Sequence, residues 1–319
     1  MASLGIDLGG TFARAAVVEP DGRIAASAKR VLEDRQPSAV VQAVAQAAKE
    51  AIAAAGVNAG ACGVGVAAQL VGDTGTIAVA PNLGWRDVPF GQLLAAALGR
   101  SVRVVNDLSA AAWGELRAGA GRGARNAYVV YVGSGVGSAL IIQGQLMEGA
   151  SGVAGELGHT KVEPGGRRCG CGGLGCLEAY AGGHALIAQM CEAIAAGEKT
   201  MLTELCGGDL SKLNPALLER AAEAEDPVAR RIYDRATSHL GLAIANQVTV
   251  QNPERLILGG GVLNHAPGVR RRIVEAVGQY SSEVSRRAVK VVHAELGDDS
   301  GLIGAALLAA MPAASVGKG

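Results

Sequence analysis

LGIDLGGTFARAAVVEPDGRIAASAKRV, residues 4–31, reads as three β-strands joined by two tight turns. Gly9-Gly10-Thr11 separates the first strand from the second, and Pro20-Asp21-Gly22, a hairpin signal, separates the second from the third. An alanine-rich segment from Pro37 to Ala55 follows with helical character and stops at Gly56. The device then recurs about 120 residues later. NAYVVYVGSGVGSALIIQGQLMEGA, residues 126–150, again reads strand, glycine turn, strand, Gly144-Gln145 turn, strand. Two such units predict a duplicated α/β fold with a cleft between its halves. ACGVGVAA (61–68), VRVVND (102–107) and RLILGGGV (255–262) read as further strands. SAAAWGELRAGAG (109–121), the long stretch from Pro227 to Gln251 and SGLIGAALLAAM (300–311) read as helices.

The composition narrows the function classes. The 319 residues carry 29 Lys+Arg against 29 Asp+Glu, so there is no electrostatic footprint for nucleic acid. No uncharged apolar run approaches the roughly 20 residues needed to span a membrane. Aromatic residues make up 3% of the chain and glycine is abundant, so the cores must be built from Ala, Val, Leu and Ile. The sequence starts on a strand rather than on a basic-then-apolar leader, and the expected location is the cytoplasm.

Between Glu156 and Glu178 the chain reads ELGHTKVEPGGRRCGCGGLGCLE. His159, Cys169, Cys171 and Cys176 are imidazole and thiol groups, the preferred ligands of structural zinc, and four such groups close a tetrahedron. The intervening glycines allow the tight turns that convergence needs. A disulfide or a chance grouping is the alternative; Cys62, Cys191 and Cys206 are scattered and show no disulfide framework. A second kind of chemistry lies in the glycine turns. Asp7-Leu8-Gly9-Gly10-Thr11, Gly133-Ser134-Gly135-Val136-Gly137 and Gly259-Gly260-Gly261 each follow a strand, and such turns present backbone amides to anions. Neither the P-loop nor the dinucleotide-binding glycine fingerprint is present.

Taken together, Asp7-Leu8-Gly9-Gly10-Thr11, Pro81-Asn82-Leu83, Asn106-Asp107, Gly155-Glu156-Leu157-Gly158-His159 and the cysteine segment resemble the ROK family of sugar kinases, open reading frames and repressors. The resemblance covers essentially the whole chain. It implies an α/β fold of two RNase-H-like domains, of the actin and hexokinase superfamily, with a zinc knuckle in the larger one. The smaller domain would be residues 1–118, completed by a closing helix over 300–319; the larger would be 119–299. The implied activity is that of a hexose kinase of the glucokinase type, using ATP and Mg²⁺ on the 6-hydroxyl of glucose in carbohydrate metabolism and glycolysis. N-acetylglucosamine, N-acetylmannosamine or fructose are alternative acceptors, and polyphosphate is an alternative donor. A sugar-sensing protein without catalysis is the reading from another class.

Under the same resemblance, Asp107 takes the proton of the reacting hydroxyl, although Asn106-Asp107 before a helix is also a capping sequence. Asn82, Asn106, Glu156, His159 and Glu178 bind the sugar, and His159 ligates zinc as well. Gly9, Gly10 and Thr11 hold the β- and γ-phosphates and Asp7 holds Mg²⁺. Gly133, Ser134, Gly135 and Gly137 hold the other side of the nucleotide, and Gly259 and Gly260 face the adenosine. A homodimer or homotetramer is expected. His184, His239, His265 and His293 are expected at the surface or as caps. The family's Gly-x-Pro-Gly turn is replaced by Gly65-Val66-Ala67-Ala68-Gln69, so the loop near the sugar should differ. The family's repressors carry a winged-helix segment ahead of the core; with four residues before Gly5, the kinase reading is preferred.

Overall fold

The computed structural model describes residues 1–311. Along the chain, β1 (Ser3–Leu8), β2 (Phe12–Val18) and β3 (Ile24–Val31) form the expected meander, and α1 (Pro37–Ala55) follows. Pro37 opens that helix and Gly56 closes it in the left-handed region at φ 63°. Next come β4 (Cys62–Val66), β5 (Gln69–Leu70), β6 (Ile77–Ala80), β7 (Trp85–Val88), α2 (Phe90–Leu98), β8 (Arg103–Asn106) and α3 (Asp107–Ala118). The second meander is β9 (Ala127–Val132), β10 (Val136–Ile142) and β11 (Gln145–Met147). After the cysteine segment come α4 (Glu178–Ala181), α5 (Gly183–Ala195), α6 (Leu202–Leu205), α7 (Pro215–Glu223) and α8 (Pro227–Gln251). The described residues finish with β12 (Arg255–Gly259), α9 (Gly261–His265), α10 (Pro267–Tyr280), α11 (Glu283–Ala288), β13 (Lys290–His293) and α12 (Ser300–Ala309). The expected closing helix over 300–319 thus ends at Ala309, and residues 312–319 lie outside the described residues. Met311 precedes a proline, which disfavours helical backbone there.

The repeat inferred from the sequence is real at the level of topology. One five-stranded sheet has the order β3-β2-β1-β4-β8 and the other β11-β10-β9-β12-β13, the same plan twice. In the first, β1 pairs antiparallel with β2 and parallel with β4, which pairs parallel with β8. The carboxyl ends of β1, β4 and β8 therefore share one sheet edge, where open α/β sheets gather their ligands. A small antiparallel sheet, β5-β6-β7, carries the Pro81–Gly84 turn between its last two strands.

The chain divides into two compact units. The first comprises Met1–Ala127, Ala139–Gly155 and the chain from Ala294 on; the second comprises Tyr128–Ser138 and Glu156–His293. In the first unit the two-residue alternation of the strands sorts side chains by size. Leu4, Ile6 and Leu8 of β1 and Val64 and Val66 of β4 belong to the same apolar core as Val40 and Val44 of α1. The opposite face of these strands presents Gly5 and Gly63, where a Cβ would overlap the backbone of α12 at Leu302 and Ala305. Ala16 and Val18 of β2 pack there against Leu302, Ile303 and Ala306. Helix α12 meets α3 in the same manner, through Gly304 and Gly114. Small residues let three backbone layers touch, which explains a chain rich in Ala and Gly.

Glu115 of α3 is fully buried and accepts backbone hydrogen bonds from Ala120 (2.9 Å), Glu295 (3.1 Å) and Leu296 (2.8 Å). One carboxylate thereby fixes the segment that leaves α3 and the segment that leads into α12. Among the described residues no helix is long and apolar enough to cross a membrane.

Candidate functional site

In the first unit the expected residues collect at the carboxyl edge of β1, β4 and β8. Asp7 lies near the end of β1, opposite Arg14 on β2 and Gly65 on β4. Burial pushes its carboxyl up to about 6; Arg14 works against that rise, while the charges of Asp107, Asp298 and Asp299 add to it. Asp107 is thus electrostatically within reach of Asp7. Asn106 ends β8 and caps α3: its Oδ1 accepts from Leu108 N (2.9 Å) and Ser109 N (3.2 Å), and its Nδ2 donates to Ala68 O (3.3 Å). The capping alternative therefore holds for Asn106, and it sets Asp107 as the first residue of the helix. The loop that departs from the family pattern, Gly65–Gln69, is the one Asn106 grips.

The Gly9–Thr11 turn is closed by Gly9 N donating to Phe12 O at 3.1 Å. The amides of Gly10 and Thr11 are therefore the turn's candidates for meeting an anion. A Cβ on Gly10 would stand 3.0 Å from Asn82 O, so the Pro81–Gly84 turn, with Asn82 exposed and Leu83 buried, packs directly on the glycine turn. Three participants were not singled out from the sequence. Arg14 pairs with Asp7 at 4.0 Å, donates to Asp298 O at 2.7 Å, and forms an ion pair with Asp299. Arg14 reads as an ordinary strand residue and Asp298-Asp299 as a helix start. Only the pairing of Asp7 with Arg14 across β1 and β2, legible once the hairpin is recognised, could have flagged the arginine.

In the second unit, Gly133–Gly137 joins β9 to β10 and is tied down through its own carbonyls. Gly183 N donates to Gly133 O (2.8 Å) and His184 N to Ser134 O (3.0 Å). Glu178 secures the far side: its Oε2 accepts from Val136 N at 3.0 Å, in space left by Gly135, where a Cβ would overlap the carboxylate. Gly259 ends β12, and Gly260 follows at φ 98°; a Cβ there would lie 2.7 Å from the Val132 carbonyl carbon. Two of the three glycine turns are neighbours for that reason.

The four metal-type ligands converge. The ligand atoms of His159, Cys169, Cys171 and Cys176 all lie within 4.8 Å of one another. Zinc–sulfur bonds of about 2.3 Å set at tetrahedral angles put sulfurs roughly 3.8 Å apart. Cys171 and Cys176 are separated by 3.7 Å, and Cys169 Sγ and His159 Nδ1 by 3.8 Å. The residues therefore fit zinc. Burial pushes the Cys169 thiol up to about 12, whereas the Gly173 N–H beside the Cys171 sulfur pulls that thiol down. His159 turns Nδ1 to the sulfurs and Nε2 toward Glu156, at 3.6 Å from Oε2. Glu178 Oε1 is 3.9 Å from Cys169 Sγ. Glu156 and Glu178 thus each stand against a member of the cluster, His159 and Cys169 respectively.

The loop is braced from behind. Glu163 forms a bidentate ion pair with Arg235 and lies 2.7 Å from His239 Nε2. Arg235 stacks over Tyr180 at 4.6 Å, and Tyr180 Oη accepts from Arg167 N at 2.7 Å. His239 is therefore neither a surface residue nor a cap, contrary to expectation, because the loop folds onto α8 and supplies a partner far away in sequence. His184 and His293 are exposed, and His265 bonds Gly261 O within α9.

A family model described as ROK family matches residues 3–311. A glucokinase of Streptomyces coelicolor is 35% identical over 313 residues, covering 97% of this chain and 98% of that protein. Among solved structures, a ROK family glucokinase from Streptomyces griseus in complex with glucose and AMPPNP superposes with a TM-score of 0.78 at 35% identity, covering 97% of this chain and 99% of that one. A ROK hexokinase from Thermus thermophilus gives a TM-score of 0.82 at 33% identity, with 97% and 98% covered.

Proposed function

The chain belongs to the ROK family, and from that premise we propose that it transfers the γ-phosphoryl group of ATP to the 6-hydroxyl of glucose. The observation that carries the reading is the gathering of Asp7, Asp107 and the Gly9–Thr11 turn at one edge of the first sheet. Asp107 takes the proton as the sugar oxygen attacks the γ-phosphorus; an O–P bond forms, the bond to the β-phosphate oxygen breaks, and ADP leaves. Gly10 and Thr11 hold phosphate oxygens with backbone amides, which need no reorganisation as charge shifts during transfer. Asp7 is the residue that would hold Mg²⁺, whose chemistry is neutralisation of phosphate charge.

Asn82, Glu156, His159 and Glu178 present amide, carboxylate and imidazole groups to the sugar hydroxyls. Asn106 contributes through Nδ2, since its oxygen serves the cap. Gly133, Ser134, Gly135, Gly137, Gly259 and Gly260 receive the rest of the nucleotide. His159, Cys169, Cys171 and Cys176 would hold a structural zinc ion, which would keep the loop carrying Glu156 and Glu178 in shape. The chain assembles as a homo-oligomer and works in the cytoplasm.

The test is ADP formation by the purified protein with glucose, N-acetylglucosamine, N-acetylmannosamine and fructose, and with polyphosphate in place of ATP. Turnover is expected with ATP and glucose. Preference for an acetamido sugar overturns the substrate, and no turnover with any sugar overturns the kinase. Asp107→Asn is expected to lower kcat by about 10²–10⁴ while glucose still binds; wild-type turnover removes Asp107 as the base.

A further inference from the structure

One cation of the cysteine loop has no part in the function described above. Lys161 Nζ lies 2.8 Å from Cys176 Sγ. Its position follows from the backbone and is not an accident of a long side chain. Lys161 and Cys176 are directly opposed in an antiparallel bridge, with Val162 N donating to Gly175 O (2.9 Å) and Leu177 N to Thr160 O (2.9 Å) on either side. Residues paired in this way project to the same face. The space that the ammonium enters exists because residue 173 is glycine: a Cβ there would stand 2.7 Å from Lys161 Nζ.

We propose that Lys161 is the outer cation of the zinc site, hydrogen-bonding the Cys176 thiolate and neutralising the charge left over when zinc is bound. The inference rests on the zinc reading given above. A divalent ion with three thiolates and a neutral imidazole carries one net negative charge, which the fixed ammonium cancels. A hydrogen bond from a cation draws electron density from the sulfur, so the bound sulfur is less prone to alkylation and to loss of the metal. Groups that orient and neutralise metal ligands in this way change metal affinity by roughly 10–100-fold. Lys161 is a positioning residue: it acts on the metal through Cys176.

The test compares the full-length wild type, Lys161→Met, Lys161→Gln and Lys161→Arg. Zinc content is measured by atomic emission, and transfer of zinc to a chromophoric chelator is followed at low and high salt, with circular dichroism as the check on folding. One zinc per chain is expected in the wild type. Lys161→Met and Lys161→Gln are expected to release it at least about tenfold faster. Lys161→Arg should stay within a few-fold of wild type, and salt should accelerate release in the wild type but not in the neutral variants. Release from folded neutral variants at the wild-type rate overturns the proposal. Slower release also overturns it, since the ammonium would then be competing with the metal. A wild type that binds no zinc removes the zinc reading and this inference together, and the metal content alone identifies that outcome.

Discussion

Replacing Gly304 by alanine tests whether the backbone contact between α12 and α3 positions the proposed base. An added Cβ would stand 2.5 Å from the Ala110 carbonyl carbon and 2.8 Å from Gly114 N, with the Ala110 oxygen nearer still. Restoring the carbon contact to 3.0 Å takes 0.5 Å of helix separation, and clearing the oxygen takes more than twice that. Helix α12 has no room to retreat, because Gly5 and Gly63 of the sheet already touch its other side at Leu302 and Ala305. Alanine favours helix over glycine by about 1 kcal/mol, so at an open site the substitution would stabilise. Here overpacking should reverse the sign and cost about 1–3 kcal/mol. For a unit of this size that lowers the melting temperature by roughly 2–12 °C. Ala110 is one helical turn beyond Asp107, and misplacing a reacting group by about 1 Å can cost 10²-fold in rate. The assay pairs a thermal melt with steady-state ADP release on glucose. Gly278→Ala in α10, where nothing lies within 4 Å of the new Cβ, serves as the control and should be neutral or stabilising. Unchanged or raised stability in Gly304→Ala refutes the close packing. Lowered stability with wild-type kcat refutes the link from that packing to Asp107.

Glu115→Ala leaves three backbone N–H groups of partly buried hydrogen bonds without their acceptor and should cost on the order of 1–3 kcal/mol, read as a drop in the urea midpoint; a change below 0.5 kcal/mol would sink that account. The Arg235 guanidinium, followed by His239 and Tyr180, holds the Glu163 carboxyl down at about 2, below its ordinary 4.5. A depressed carboxyl contributes stability that is complete above about pH 4.5 and is lost as pH falls toward 2. The melting-temperature gap between the wild type and Glu163→Gln should accordingly close over that range, and a gap independent of pH speaks against the pairing. Under the proposed roles, Cys171→Ser should release zinc and raise KM for glucose more than it lowers kcat, because the cluster would brace the proposed sugar-binding side chains and not the proposed base. Equal glucose KM in zinc-depleted Cys171→Ser and wild-type protein would detach the metal from sugar recognition.

Much of the scaffold could be read from the chain because its signals are local. The hairpin chemistry of residues 4–31 and its recurrence at 126–150 foretold two sheets of one plan, and the observed strand orders agree. Pro37 and Gly56 bracket α1 as read, since a fixed φ at one end and a left-handed residue at the other need no tertiary help. The cysteine spacing pointed to a cluster that does converge. Arg14, Asp298 and Asp299 escaped notice because the residues brought together lie 285 positions apart. His239 escaped for the same reason, its partner Glu163 being 76 positions away.

What the sequence by itself determined is therefore whatever a few neighbouring residues can specify: strand alternation, turn chemistry, helix ends, and the ligand types packed between Glu156 and Glu178. The tertiary structure alone decided which charge stands beside which. Glu115 reads as an ordinary helix-surface carboxylate until α12 and its lead-in cover it, and Lys161 as any other surface lysine until the loop brings it, still exposed, against Cys176. Burial and opposition across a bridge depend on how distant segments pack, and those are what turn a side chain's formal charge into a structural or chemical role.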